Sequence, residues 1–135
     1  MFKMILSISP EDIELIIKGK KKYDFRKFYC KALIKTILLY VKHTVKAIVG
    51  EAEILNIIKN TPENVWKITK KFAGMSKEDF DVYYCDKNVA IAYELGNIKI
   101  YKTPKCLKDF NLDEKKIKSI DLILDNLHDT EWTND

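Results

Sequence analysis

Hydrophobic residues recur along this chain with two periods, and the switches between them mark the elements. Residues 3–8 are an apolar run, Met-Ile-Leu-Ser-Ile after Lys3, which predicts a short buried first strand. Ser9 then has the chemistry of a helix N-cap, with Pro10 at the first helical position and Glu11 and Asp12 in the first turn. Over residues 10–18 the period lengthens, with Ile13, Ile16 and Ile17 on one stripe, and Gly19 supplies the stop. From Lys22 to Phe28 the alternation is two-fold. A strand here puts Tyr23 and Phe25 on one face and Lys22, Asp24 and Arg26 on the other.

Residues 32–42 read as a long strand that is apolar on both faces and therefore central to a sheet. His43 and Thr44 make the connection to a second long strand, residues 45–56, in which Gly50 marks a bulge or a sheet-curling bend. Glu51 and Glu53 share a face of that strand, as a solvated pair or an acid/base couple. Thr61, Pro62 and Glu63 open a helix that runs to about Ala73, with Val65, Trp66, Ile68, Thr69 and Phe72 as its apolar face and Gly74 as its stop. Ser76 caps another helix with Phe80, Tyr83 and Tyr84 at core spacing; Trp66 and these tyrosines also have rings that stack on bases. Residues 87–94 and 97–101 read as a hairpin about a Gly96-Asn97 turn, and Thr103-Pro104 ends its second strand. Residues 113–127 predict a final amphipathic helix with Ile117, Ile120, Ile123, Leu124 and Leu127 inward, followed by a polar tail over 129–135. This order predicts an α+β fold with a mostly antiparallel sheet closed into a small β-barrel and flanked by helices, as a single domain over residues 1–128.

Charge sharpens the picture. The net charge of +4 is modest, but residues 1–50 hold eleven basic and four acidic groups, whereas the last 30 hold four and eight. A basic N-terminal half points to an anionic partner for one face. Within it, residues 19–27 pack five cations, one carboxylate and two aromatics, including Arg26, the only arginine against 23 lysines. A lone guanidinium in a lysine-rich chain suggests a forked donor for a carboxylate, a phosphate or a base edge; otherwise the charges keep an edge strand soluble.

Other chemistries are excluded. Cys30, Cys85 and Cys106 lack CxxC spacing, and with the isolated His43 and His128 they make neither a disulfide framework nor a zinc site. No metal or cofactor is therefore expected. There is no phosphate-binding glycine loop, no dinucleotide fingerprint, no HExxH and no GxSxG. The absence of a secretory signature or an apolar run near the ~20 residues of a membrane span predicts a cytoplasmic protein with reduced thiols. No helix is rich in the Arg, Asn or Gln of a DNA-reading element.

The order of apolar strand, Ser-Pro-capped helix and then Gly19, Lys21, Asp24 and Arg26 in a Gly-x-Lys-x-x-(Glu/Asp)-x-Arg pattern resembles the ASCH domain, a relative of the PUA domain. The likeness continues through residues 45–54, a two-helix insertion over 61–85 and a final Tyr-Lys-Thr-Pro, covering about residues 3–110. It implies a small PUA-like barrel with a cleft that is lined by the motif and faces RNA or a nucleotide. Some ASCH members are amidohydrolases on acetylated cytidine, and ribonuclease activity is attributed to others. For the amidohydrolases the resemblance assigns the chemistry to a lysine at Lys21, a threonine at Asp24 and a glutamate just before the second inserted helix. This chain has Asp24 and Ala73-Gly74 at the last two places, with Glu78 a turn later.

Three functional readings follow. In the first, a binding module, Lys20, Lys21, Lys22 and Lys27 meet phosphates, Arg26 reads a base or phosphate or is held by Asp24, and Tyr23 or Tyr40 stacks on a base. In the second, an amidohydrolase or nuclease acting on modified nucleosides or RNA, Lys21 is a base whose pKa neighbouring cations lower, and Asp24 or Glu78 orients water. The third is a protein-interaction domain of a mobile element that uses the acidic C-terminal helix.

Overall fold

A computed structural model describes residues 2–27, 34–42, 45–110, 122–125 and 129–132. The elements run β1 (Phe2–Ser7), α1 (Pro10–Ile17), β2 (Tyr23–Arg26), β3 (Ile34–Val41), β4 (Ala47–Asn60), α2 (Pro62–Thr69), α3 (Lys77–Tyr83), β5 (Ala90–Lys105), β6 (Leu122–Asp125) and β7 (Asp129–Trp132), with 3₁₀ turns at Lys70–Phe72 and Leu107–Phe110. The α+β class is as expected. One sheet holds all seven strands in the order β2-β5-β4-β3-β1-β6-β7. Among the described residues only β1 and β3 pair in parallel.

All three helix caps form as their sequences predict. Ser9, Thr61 and Ser76 each accept the amide N–H three residues on, satisfying a donor that the first helical turn leaves open. Strand β3 is central as its composition predicts: Ile37, Leu39 and Val41 join a core with Met4, Leu6 and Ile16, while Leu38 and Tyr40 pack on the opposite face with Ile5, Ile48 and Leu107. A third core, of Phe25, Val65, Phe80, Tyr84 and Ala92, lies beneath α2 and α3. Ile17 and Ile68, placed inward by the helical pattern, are exposed.

Gly50 sits at a register shift in β4, as expected, and a Cβ there would come 2.4 Å from the Lys99 carbonyl oxygen. The Gly96-Asn97 hairpin, by contrast, does not form. β5 runs unbroken for 16 residues because β4, at 14 residues, offers a partner to both halves. Gly96 and Asn97 pass through a stretch of shifted register instead. Asn97 takes φ +47° and donates from Nδ2 to Glu53, and a Cβ on Gly96 would meet the Leu55 side chain. The C-terminal helix expected over 113–127 is also corrected where it can be seen. Leu122–Asp125 is a strand that pairs with the second edge of β1, and Asp129–Trp132 in turn pairs with it. An open strand edge is a stronger demand than an amphipathic stripe. The rest of that helix lies outside the described residues, as do Cys30, His43 and His128.

The barrel is not closed by a ladder: β2 and β7 end the strand order, and no bonding joins them among the described residues. The sheet nevertheless curls. If it were flat, four strand spacings would set β2 roughly 19 Å from β1. Yet the Arg26 guanidinium on β2 donates to the carbonyl oxygen of Ser7 on β1 at 2.9 Å. A side chain bridges the seam where a closed barrel would have a strand pair.

Candidate functional site: a cleft in the seam of the sheet

The seam is built from the segment between α1 and β2. Gly19, at φ +74°, turns the chain out of α1, and the amides of Lys20 and Lys21 both donate back to the Leu15 carbonyl. Lys21 then forms an isolated bridge with Ala73, the Lys22 amide donates to Phe72, and the Lys22 carbonyl accepts from Leu95. This tethering fixes where Lys21, Asp24 and Arg26 point.

Lys21 is 3% exposed. Its Nζ donates to the Ala73 carbonyl at 2.9 Å and stands 5.1 Å from the centre of the Phe25 ring. Gly74 makes room for it: at φ +71°, a Cβ on Gly74 would lie 2.7 Å from the Lys21 Cβ. Burial pushes the Lys21 pKa down, Asp12 and Asp24 draw it back up, and Arg26 lowers it further. The sequence predicts the direction, but the main cause is desolvation and not neighbouring cations.

Asp24 and Arg26 share a face of β2, as alternation predicts, and pair fork to fork. Nε donates to Oδ2 at 2.6 Å and Nη2 to Oδ1 at 3.2 Å. A second Nη2 donation reaches Ser7. Of the two roles open to Arg26, being held by Asp24 is the one the geometry displays. The end of β2 is fixed further by two phenols. Tyr83 donates to the Phe25 carbonyl at 3.1 Å, and the Tyr84 hydroxyl lies 2.8 Å from the Arg26 carbonyl and 3.1 Å from that of Ile91. Burial raises the Tyr84 pKa far above its usual range.

Beside these groups opens a cleft of ≈ 200 Å³, lined by Ser7, Ile8, Ser9, Asp12, Lys21, Asp24, Phe25, Arg26, Met75 and Tyr83. Its wall carries two cations and two carboxylates, so its charge is balanced, and the other lysines of the segment stand outside it. Lys20 is exposed, Lys22 lies over the Phe72 ring at 4.1 Å, and Lys27 lies over Tyr83 at 4.5 Å. Tyr23 is half-buried against Phe25, and burial together with Glu94 raises its pKa. Tyr40 is a correction. At 1% exposure in the core of β3 it has no face to offer a base. Glu78 stands exposed on α3, away from the cleft wall. Glu51 and Glu53 take separate partners, Tyr101 and Asn97, and do not line the cleft either.

Capping and dipole chemistry fully account for Ser9 and Asp12 in the sequence, so nothing in their residue types marks them as site residues. The signal was the two-residue link between β1 and α1, which sets the start of the helix against the end of the strand. For Tyr83 the sequence predicts a core or stacking role, and for Met75 it carries no signal. Among the described residues no group of three His, Cys, Asp or Glu side chains is placed to hold a metal ion.

Comparison with known proteins adds the lineage. A family described as "Domain of unknown function (DUF365)" matches residues 11–112. The large ribosomal subunit protein uL22 of Ureaplasma parvum serovar 3 is 26% identical over 110 residues, covering 81% of this chain but 35% of that protein, so the chain spans about a third of this relative. An ASCH domain-containing ribonuclease of Zymomonas mobilis is 26% identical over 113 residues, covering 83% of this chain and 72% of the relative. The crystal structure of ASCH from Zymomonas mobilis superposes with a TM-score of 0.71 at 24% identity, over 81% of this chain and 76% of that one. The chain therefore belongs to the DUF365 family, and its fold is that of an ASCH domain.

Proposed function

We propose that the domain works on RNA, taking one nucleotide unit into the cleft between α1 and β2 while the lysines around it meet the flanking phosphates. The observation that carries this reading is Lys21, buried in the wall of an open ≈ 200 Å³ cleft that Asp12 and Asp24 also line. That volume falls below the ~300–1,000 Å³ that encloses a drug-sized ligand, and it suits a single base or sugar. A balanced set of donors and acceptors suits a neutral polar group, while Lys20, Lys22 and Lys27 outside it suit the backbone. The ribonuclease among the relatives supports RNA as the class of partner.

Ribonuclease action is a second reading, favoured by the lowered pKa of Lys21. In its unprotonated form, which burial makes easier to reach, Lys21 takes the proton of a ribose 2′-hydroxyl. The 2′-oxygen bonds to the adjacent phosphorus, the bond to the 5′-oxygen breaks, and that oxygen takes up a proton. The products are a 2′,3′-cyclic phosphate and a 5′-hydroxyl. Amide hydrolysis has less support, because Asp24 is engaged by Arg26 and Ala73-Gly74 stands where the resemblance calls for a glutamate.

The test is a titration of the full chain with labelled 12-nucleotide RNAs, alongside gel analysis of the same RNAs. Lys21→Met, which keeps the chain length and loses the charge, is expected to weaken binding about ten-fold and to abolish any cleavage. Wild-type protein that neither binds nor cuts RNA overturns the proposal. So does a Lys21→Met variant indistinguishable from it.

A further inference from the structure

The bridge that holds Lys21 has an outer side. Lys21 lines the cleft and donates to the Ala73 carbonyl, while their chain neighbours Lys22 and Phe72, neither of which lines the cleft, meet each other. There the half-buried Phe72 ring carries the ammonium groups of two lysines, Lys22 at 4.1 Å and Lys71 at 5.7 Å from its centre. Lys20 and Lys70 are exposed next to them in sequence. Elsewhere on these helices the surface lysines are neutralised within their own turns: Lys18 by Glu14, Lys67 by Glu63 and Lys77 by Asp81. None of Lys20, Lys22, Lys70 and Lys71 has an ion pair among the described residues. Two like charges drawn to one ring repel each other, and an anion between them removes that cost.

We propose that Phe72, with Lys22 and Lys71, is a second contact platform for single-stranded RNA, outside the cleft. This deepens the function proposed above and rests on it. When the two lysines swing out to the phosphates on either side, the ring face that they cover is freed for an unstacked base. That combination selects a single strand, because duplex bases keep their faces stacked on one another. Since adjacent residues of one bridge serve the two places, a strand that seats a nucleotide against Lys21 lays a neighbouring one on Phe72.

The experiment uses the full chain and a fluorescein-labelled 12-mer oligouridylate, with a 12-base-pair RNA duplex for comparison, by anisotropy over a range of salt. Lys22→Gln with Lys71→Gln is expected to reduce the salt slope of single-strand binding by about 1.4, two contacts at ~0.7 each. Phe72→Leu is expected to weaken the single strand about ten-fold, leave the slope unchanged and leave the duplex alone. Wild-type slope and affinity in the double variant overturn the proposal, as does equal weakening of both RNAs by Phe72→Leu. If Phe72→Leu melts far below the wild type, the lysine pair alone decides. Lys21→Met separates the two proposals. Loss there with no effect at Phe72 and a slope lowered by no more than the ~0.7 that Lys22 alone supplies overturns the platform and leaves the cleft standing, and the converse leaves the platform standing without the cleft.

Discussion

Lys21 keeps its place through what Gly74 lacks. Gly74 and Gly19 share nearly the same backbone angle, φ +71° and +74°, yet a Cβ on Gly19 meets nothing within 4 Å while one on Gly74 strikes the Lys21 stem. Gly19→Ala should thus cost only backbone strain, about 1–2 kcal/mol. Gly74→Ala adds overpacking of a further ~1–3 kcal/mol and displaces the lysine. Urea denaturation of the two variants, with RNA titration of each, checks the difference; equal losses would remove Gly74 from the site. Lys21 itself makes stability depend on pH. Its folded pKa lies below the ordinary 10.5, so the unfolded chain binds the proton more tightly. Stability should rise with pH through the window between the lowered value and 10.5, as the folded protein ceases to bury a charge. Lys21→Met should flatten that rise, measured as the urea midpoint against pH. The polar constellation was legible because alternation alone sets Asp24 and Arg26 on one face. The burial of Tyr40 was not, since which face of a doubly apolar strand is covered depends on elements far away in sequence.

Among the elements, those governed by local chemistry were legible. Ser9, Thr61 and Ser76 cap helices because each side chain reaches an amide three residues on, a condition contained within a few residues. Ser76→Ala should cost about 1 kcal/mol. Ser9→Ala should cost about the same in a thermal melt and should also weaken RNA, because Ser9 lines the cleft and Ser76 does not. The misread elements are those whose fate is set by a distant partner. Gly96-Asn97 carries a turn signature, yet a long β4 alongside turns it into an irregularity within one strand. Leu122–Asp125 belongs to a stripe of helical period, yet the exposed side of β1 recruits it as a strand.

For the molecule as a whole, Arg26 bridges the seam of the curled sheet. Its guanidinium joins Asp24 to Ser7, and the side chains of the pair are only 16% and 9% exposed. Arg26→Met takes from the buried Asp24 carboxylate its forked partner and should cost about 3–5 kcal/mol; the double variant with Asp24→Asn should recover part of that loss. Denaturation of the single and double variants checks this, and additive losses would mean that the two residues are not coupled. The parallel pairing of β1 with β3 and the bridging of β2 to β1 were beyond the sequence, because both join segments that no local pattern relates.

Because the cleft lies along this seam, an occupant would touch the margins of the sheet at once: Ser7 and Ser9 on one side, Asp24 and Arg26 on the other. It would act as a staple. Ligand at a hundred times its Kd should then add roughly 2.7 kcal/mol to the folded state. Its mark in amide hydrogen exchange should be slowed exchange in β1 and β2 before any change in α2, so such a footprint identifies cognate ligands without an activity assay.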